Sequence, residues 1–227
     1  MGRPVIVAVA GGKGGAGTST LAVELGGALG AVVVDADLGM ADLPATRGRG
    51  PDLHDVLAGR ADPLEAVRGG PVRLLPCGRS LAGARASDVR ALGDVLRTVA
   101  ADYGTVVVDC PNGLRADVGV PLAVADACVL VASPRGFALA DAIRTRELAR
   151  ELDAGLAAAA LNRAVEDPPV DAVGRALGAP AVAIPADPRL GRTLETGVPV
   201  VDRAPGSQPA ARVDRLADRV RDCRGTP

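Results

Sequence analysis

Seven short runs in which almost every residue is apolar punctuate this chain: PVIVAVA (4–10), AVVVDAD (31–37), VRLLPC (72–77), GTVVVDC (104–110), ACVLVAS (127–133), GLAAAAL (155–161) and APAVAIP (179–185). A strand with one face in water alternates apolar and polar residues; a strand apolar throughout is covered on both faces, as in a parallel sheet between layers of helices. GLAAAAL is the weakest of the seven, because alanine favours helix, but its place between two helical segments reads as a strand. The segments between the runs have helical spacing. In SDVRALGDVLRTVA (87–100), Val89, Leu92, Val95, Leu96 and Val99 share one face, with Ser87 or Asp88 available as N-cap. ALADAIRTRELARELD (138–153) is a helix ending near Gly155, and PAARVDRLADRVRDC (209–223) sets Val213, Leu216, Ala217 and Val220 on a stripe that docks on the sheet. Strand and helix alternate without repeat or linker, so the expected fold is α/β: a single domain over 1–227 with a doubly wound, mostly parallel sheet. VEDPPVD and RAPGSQP are expected as surface turns.

Composition narrows what such a domain does. With 227 residues and 48% hydrophobic content, the chain has the material for one full core. Tyr103 and Phe137 are its only aromatic residues, which excludes nucleic-acid modules that stack bases on aromatic platforms. A net charge of −1 gives no overall basic footprint. Cys77, Cys110, Cys128 and Cys223 form no C-x-x-C pair and there is one histidine, a poor basis for a metal centre or a disulfide framework; buried free thiols are expected. No apolar run reaches membrane-spanning length and no leader-like segment opens the sequence, so a cytoplasmic location is expected.

The chemistry concentrates where the first run ends. In VAVAGGKGGAGTSTLAVELGGAL (7–29), Gly11, Gly12, Gly14, Gly15 and Gly17 separate a strand from a helix. Such a turn curls with its N–H groups inward at a helix N-terminus and makes an anion cradle. Ser19 stands where a phosphate loop carries its Mg²⁺-binding hydroxyl. A mere tight turn would use glycine too, but strand, glycine loop, Ser/Thr and helix at the first βα connection is a more specific combination. The position before Ser19, which holds lysine in ordinary phosphate loops, is Thr18, and Lys13 is the only lysine in the chain.

GGKGGAGTST resembles the deviant Walker A loop of the MinD/ParA family, G-K-G-G-x-G-K-[ST]-T. The resemblance makes Lys13 the signature lysine, acting in trans on a partner's phosphates in a nucleotide-bound sandwich dimer, and makes Thr18 the replacement of the ordinary lysine. It assigns Gly12, Gly14, Gly15, Ala16, Gly17, Thr18, Ser19 and Thr20 to nucleotide binding. VVVDADLGMADL (32–43) looks like the family's second strand and switch I, which implies Asp37 as the residue that orients the attacking water and Asp35 near the metal shell; an Asp after a strand also serves simply to cap a helix. VVVDCPNGL (106–114) looks like Walker B and switch II, with Asp109 holding Mg²⁺ beside Ser19 and Gly113 following the γ-phosphate; Asn112 departs from the usual D-x-P-A-G. PDLHDVLAGRADPLEAVRGGPVRLLPCGRSLAGARASDV (51–89) is similar to the MinD branch, where His54 is expected at a surface or interface. LNRA (161–164) and IPADPRLGRTLETGVPVV (184–201) resemble the family's base-side segments, implying that Asn162 and Arg163 read adenine and that Pro185 and Asp187 shape the pocket.

What the resemblance implies is an ATP/ADP- and Mg²⁺-binding switch, a slow ATPase that works as a nucleotide-dependent homodimer with a protein partner in spatial positioning. A threonine hydroxyl brings no charge to the loop, and losing a lysine contact costs about 3 kcal/mol in the transition state, so an adaptor that binds nucleotide with little or no turnover stands as the alternative. An iron–sulfur carrier of the nitrogenase iron-protein type would need paired cysteines that are not evident. RDCRGTP offers no bulky apolar face, so no autonomous membrane binding is expected. DNA binding would need a patch built from Arg189, Arg192, Arg212, Arg215, Arg219 and Arg221, which read more simply as a solvated face, so no DNA binding is expected.

Overall fold

The computed structural model describes residues 3–12, 14–39, 43, 50–111, 116–134 and 138–223, with the side chains of 116–118 and 138 left aside. All seven apolar runs are strands. In chain order the elements are β1 (Val5–Gly11), α1 (Thr18–Leu29), β2 (Val32–Asp35), α2 (Leu53–Leu57), β3 (Arg73–Leu75), α3 (Leu81–Ala86), α4 (Leu92–Tyr103), β4 (Thr105–Asp109) and α5 (Ala116–Val124). The second half follows with β5 (Ala127–Ala132), α6 (Ala138–Glu151), β6 (Leu156–Ala164), α7 (Val170–Leu177), β7 (Ala181–Pro185), α8 (Pro188–Gly191), α9 (Thr193–Thr196), α10 (Val200–Arg203) and α11 (Gln208–Cys223). The sheet order is β3-β2-β4-β1-β5-β6-β7, and every neighbouring pair is parallel. The expected doubly wound α/β fold is therefore present, with a wholly parallel sheet.

Two-sided burial explains the apolar runs. Along β1, Val5, Val7 and Val9 join the core under α1 and α11, while Ile6, Ala8 and Ala10 join the core under α4, α5 and α6. The stripe Val213, Leu216, Ala217 and Val220 of α11 is fully buried, as its spacing requires. Ahead of α4, Asp88 accepts from the Arg90 amide at 3.1 Å and caps a short 3₁₀ turn at Val89–Ala91, so the expected cap serves that turn first. Asp52 and Asp55 cap α2 reciprocally, each side chain accepting from the other's amide. Among the described residues, no helix is long and apolar enough to cross a membrane.

One polar tie crosses the first of these cores. Glu24 of α1 is fully buried; Oε2 accepts from the Val200 amide at 2.8 Å, and Oε1 accepts from the Thr193 hydroxyl. Burial pushes its carboxyl up despite these hydrogen bonds and the nearby Arg203. Helix α1 is thus joined to α9 and α10, which continue the chain from the loop after β7.

Candidate functional site

β1 lies at the centre of the sheet, and its carboxyl end opens between those of β4 and β5, the place where open α/β sheets receive ligands. Gly15 (φ 81°) and Gly17 (φ 93°) take left-handed backbone that a Cβ would strain. Gly17 is the N-cap of α1, and among the described residues no side chain caps this helix, leaving its first-turn amides available to an anion. A Cβ on Gly14 would meet nothing within 4 Å. Gly12 answers to packing instead: a Cβ there would lie 2.3 Å from the Asp141 backbone of α6. Ser19 and Thr20 are half-buried in the first turn of α1, whereas Thr18 is 5% exposed and its hydroxyl has no hydrogen-bond partner among the described residues. Lys13, Asn112 and Gly113 lie outside the described residues.

The two aspartates expected near a metal end adjacent strands in register: Asp35 on β2 faces Asp109 on β4. Both are buried, and the Ala36 amide donates to the Asp109 carbonyl at 3.0 Å. Asp35 also shapes the following segment, its oxygens accepting from the amides of Asp37 (3.2 Å) and Leu43 (3.3 Å). Asp37 is half-buried, and its Oδ1 accepts from the Gly39 amide at 3.2 Å. Among the described residues, no group of three or more His, Cys, Asp or Glu side chains is placed to hold a metal ion.

On the other side of the loop, β6 and β7 end in a cavity of about 360 Å³ lined by Thr20, Asn162, Arg163, Pro185, Asp187 and Leu190, among others. Its size is that of a small-molecule site. All four residues expected on the base side therefore share one cavity with Thr20. Arg163 sits in a bulge between Asn162 and Ala164 with φ 57°, an uncommon conformation for a side-chain-bearing residue that turns the strand end out of the ladder. Asp187 spends its oxygens locally, accepting from the Arg189 amide at 2.8 Å and from its guanidinium at 2.9 and 2.7 Å. This pairing holds its carboxyl down to about 2, so Asp187 walls the cavity as an anion already paired with Arg189. Asn162 is 5% exposed, and its Nδ2 donates to the Ala16 carbonyl of the glycine loop at 2.8 Å.

No protein-family model matches the chain. An uncharacterized ATP-binding protein of Methanocaldococcus jannaschii is 35% identical over 173 residues, which are 72% of this chain and 66% of that protein. The structure of the cell division ATPase MinD of Pyrococcus furiosus has a TM-score of 0.88 at 29% identity, covering 98% of this chain and 99% of that one. The chain belongs to the MinD/ParA family. A second MinD/ParA structure, the septum site-determining protein MinD of Pyrococcus horikoshii complexed with Mg-ADP, has a TM-score of 0.87 at 29% identity over 99% of this chain and 98% of that one.

Two expectations drawn from the sequence are corrected. His54 is not a surface side chain: it is 3% exposed, with Nε2 at 3.1 Å from the Leu38 carbonyl and 3.3 Å from Cys77 Sγ. The helix α2 that carries it lies under α3, and glycines at 78 and 83 make room for its ring. Nor are all four thiols buried, since Cys223 at the end of α11 is exposed while Cys77, Cys110 and Cys128 are not. Burial pushes the Cys128 thiol up to about 12, which leaves it an inert core residue. Of the six arginines considered for DNA, Arg189 pairs with Asp187, and Arg221 pairs with Asp218 at 2.8 Å and donates to the Ala28 carbonyl at 2.6 Å.

Proposed function

We propose that this chain is a nucleotide-binding switch protein of MinD/ParA type, taking ATP or ADP with Mg²⁺ and acting as a slow, dimerisation-dependent ATPase in spatial positioning, in cell division or partitioning. The observation that carries the reading is the cavity at the ends of β6 and β7, where Asn162, Arg163, Pro185 and Asp187 meet Thr20 from the first turn of the phosphate-loop helix. A base-sized hollow and an uncapped helix start lie side by side, as a nucleotide needs.

The residues present fit the nucleotide and its ion. Gly14, Gly15, Ala16 and Gly17 with the amides of Thr18, Ser19 and Thr20 would hold the phosphates, and the unpartnered Thr18 hydroxyl can donate to one of their oxygens. Ser19, Asp35 and Asp109 would hold Mg²⁺, an ion that keeps several waters and so needs few protein groups; bound there it neutralises charge on the phosphates. Asp37, on the segment that Asp35 ties down, orients a water for attack. Lys13 is assigned to the partner's phosphates across a homodimer, and a protein partner would read the dimer.

Gel filtration and turnover with Mg²⁺-ATP on wild type and Asp37→Ala test the reading. Wild type should dimerise on ATP and release phosphate slowly, and Asp37→Ala should stay dimeric without turnover. No binding of ATP analogues at millimolar concentration would remove the proposal. One observation favours a second reading, an adaptor that binds nucleotide without appreciable turnover: the loop position before Ser19 is a buried Thr18, whose side chain carries no charge.

A further inference from the structure

Asn162 stands where the two halves of the site touch. Its Nδ2–H donation to the Ala16 carbonyl joins residues 146 positions apart in the chain, and its Oδ1 accepts from the Arg163 amide at 3.0 Å. The next loop residue is Gly17, whose Cβ, if it had one, would stand 2.1 Å from Nδ2. Gly17 is thus needed twice, for its left-handed backbone and for the approach of this amide. The same side chain lines the cavity. An asparagine amide offers two N–H donors and two lone pairs; the loop takes one donor and the bulge one lone pair, which leaves one of each for a ligand.

We infer that Asn162 is a positioning residue that clamps the Ala16–Gly17 end of the glycine loop, so that occupancy of the cavity and the shape of the anion cradle are set by one side chain. This rests on the nucleotide reading above and goes beyond it, because recognising a base requires no hold on the loop. The physical need is clear. Glycines keep the most backbone freedom of any residue, and no side chain among the described residues caps α1. Without the clamp, the ligand itself must order the loop, and affinity for the phosphate part falls.

The test separates phosphate from base. Wild type, Asn162→Ala and Pro185→Ala are titrated with ATP, inorganic tripolyphosphate and adenosine in Mg²⁺, by competition against a fluorescent ATP analogue. Amide exchange of the first turn of α1 is measured on the ligand-free chains. Asn162→Ala should lose about tenfold in tripolyphosphate affinity, the scale of one hydrogen bond, and more for ATP. Its stoichiometry should stay near one ligand per chain, where partial unfolding would lower it, and exchange at Thr18–Leu21 should quicken. Pro185→Ala, which alters a cavity-lining side chain that has no hydrogen-bonding group to offer the loop, should weaken ATP and adenosine and leave tripolyphosphate within about twofold. Tripolyphosphate affinity unchanged in Asn162→Ala overturns the clamp, and so does a wild type that binds ATP but no tripolyphosphate. If the wild type takes no ligand, the nucleotide reading is lost and exchange alone decides: equal rates in wild type and Asn162→Ala overturn the clamp.

Discussion

Thr18 concentrates the chemical question into one residue. It is buried at the start of α1 beside half-buried Ser19 and Thr20, and its hydroxyl has no partner among the described residues. A lysine ammonium at this point would meet developing negative charge that a hydroxyl cannot neutralise. An electrostatic contact of that type is worth about 3 kcal/mol, or on the order of 10²-fold in rate. Thr18→Lys should therefore raise phosphate release by about that factor, measured under saturating Mg²⁺-ATP; unchanged turnover in a variant that still binds nucleotide would favour the adaptor. Glu24 poses a different residue-scale problem. Its folded carboxyl is raised above the usual value of 4.5, chiefly by burial, with Thr193, Val200 and Arg203 pulling the other way. The stability it contributes is fully present below pH 4.5 and is lost as pH climbs through the raised value. Glu24→Gln keeps an acceptor for Val200 and a donor for Thr193 but cannot ionise. Thermal unfolding should show Glu24→Gln gaining in Tm on wild type as the pH rises above 4.5. A difference that is flat or runs the other way would mean that Arg203 compensates the buried charge fully.

Among the elements, α1 illustrates how packing overrides propensity. Alanine is favoured over glycine by about 1 kcal/mol inside a helix, so Gly26 in the last turn looks like an easy stabilising site. A Cβ there would lie 2.2 Å from Val33 Cγ2 of β2 and 3.0 Å from Val72 Cγ1. Overpacking of this kind costs about 1–3 kcal/mol and wins. Gly26→Ala is expected to lower Tm by roughly 2–8 °C, by differential scanning calorimetry; a rise would show that α1 can lift off the sheet freely. Periodicity found the strands and the large helices because each buries a face its own sequence encodes. It did not mark the bulge at Arg163, where β6 runs past the expected end of its apolar run and its ladder to β7 skips a residue.

For the molecule as a whole, a ligand that binds only the folded chain adds RT ln(1 + [L]/Kd) to its stability. At 100 times Kd this is about 2.7 kcal/mol, roughly a 5–10 °C rise in Tm for a chain of this length. Mg²⁺-ATP should produce such a shift and ATP with chelator a smaller one, because the phosphates then face Asp35 and Asp109 without the ion; equal shifts would argue against these carboxylates holding Mg²⁺.

Sequence alone determined the strands, the parallel sheet and the position of the glycine loop, since two-sided burial and a left-handed turn are demands each segment must meet by itself. That the LNRA and IPAD segments meet was decided by the sheet order, which brings the ends of β6 and β7 to one cavity. Tertiary structure alone decided that His54 lies beneath Leu38, that Gly12 is small for the sake of Asp141, and that the Asn162 amide reaches Ala16. Each of these is a meeting of elements far apart in the chain, and such contacts exist only after the sheet has brought its strand ends together; no local pattern of residues records them.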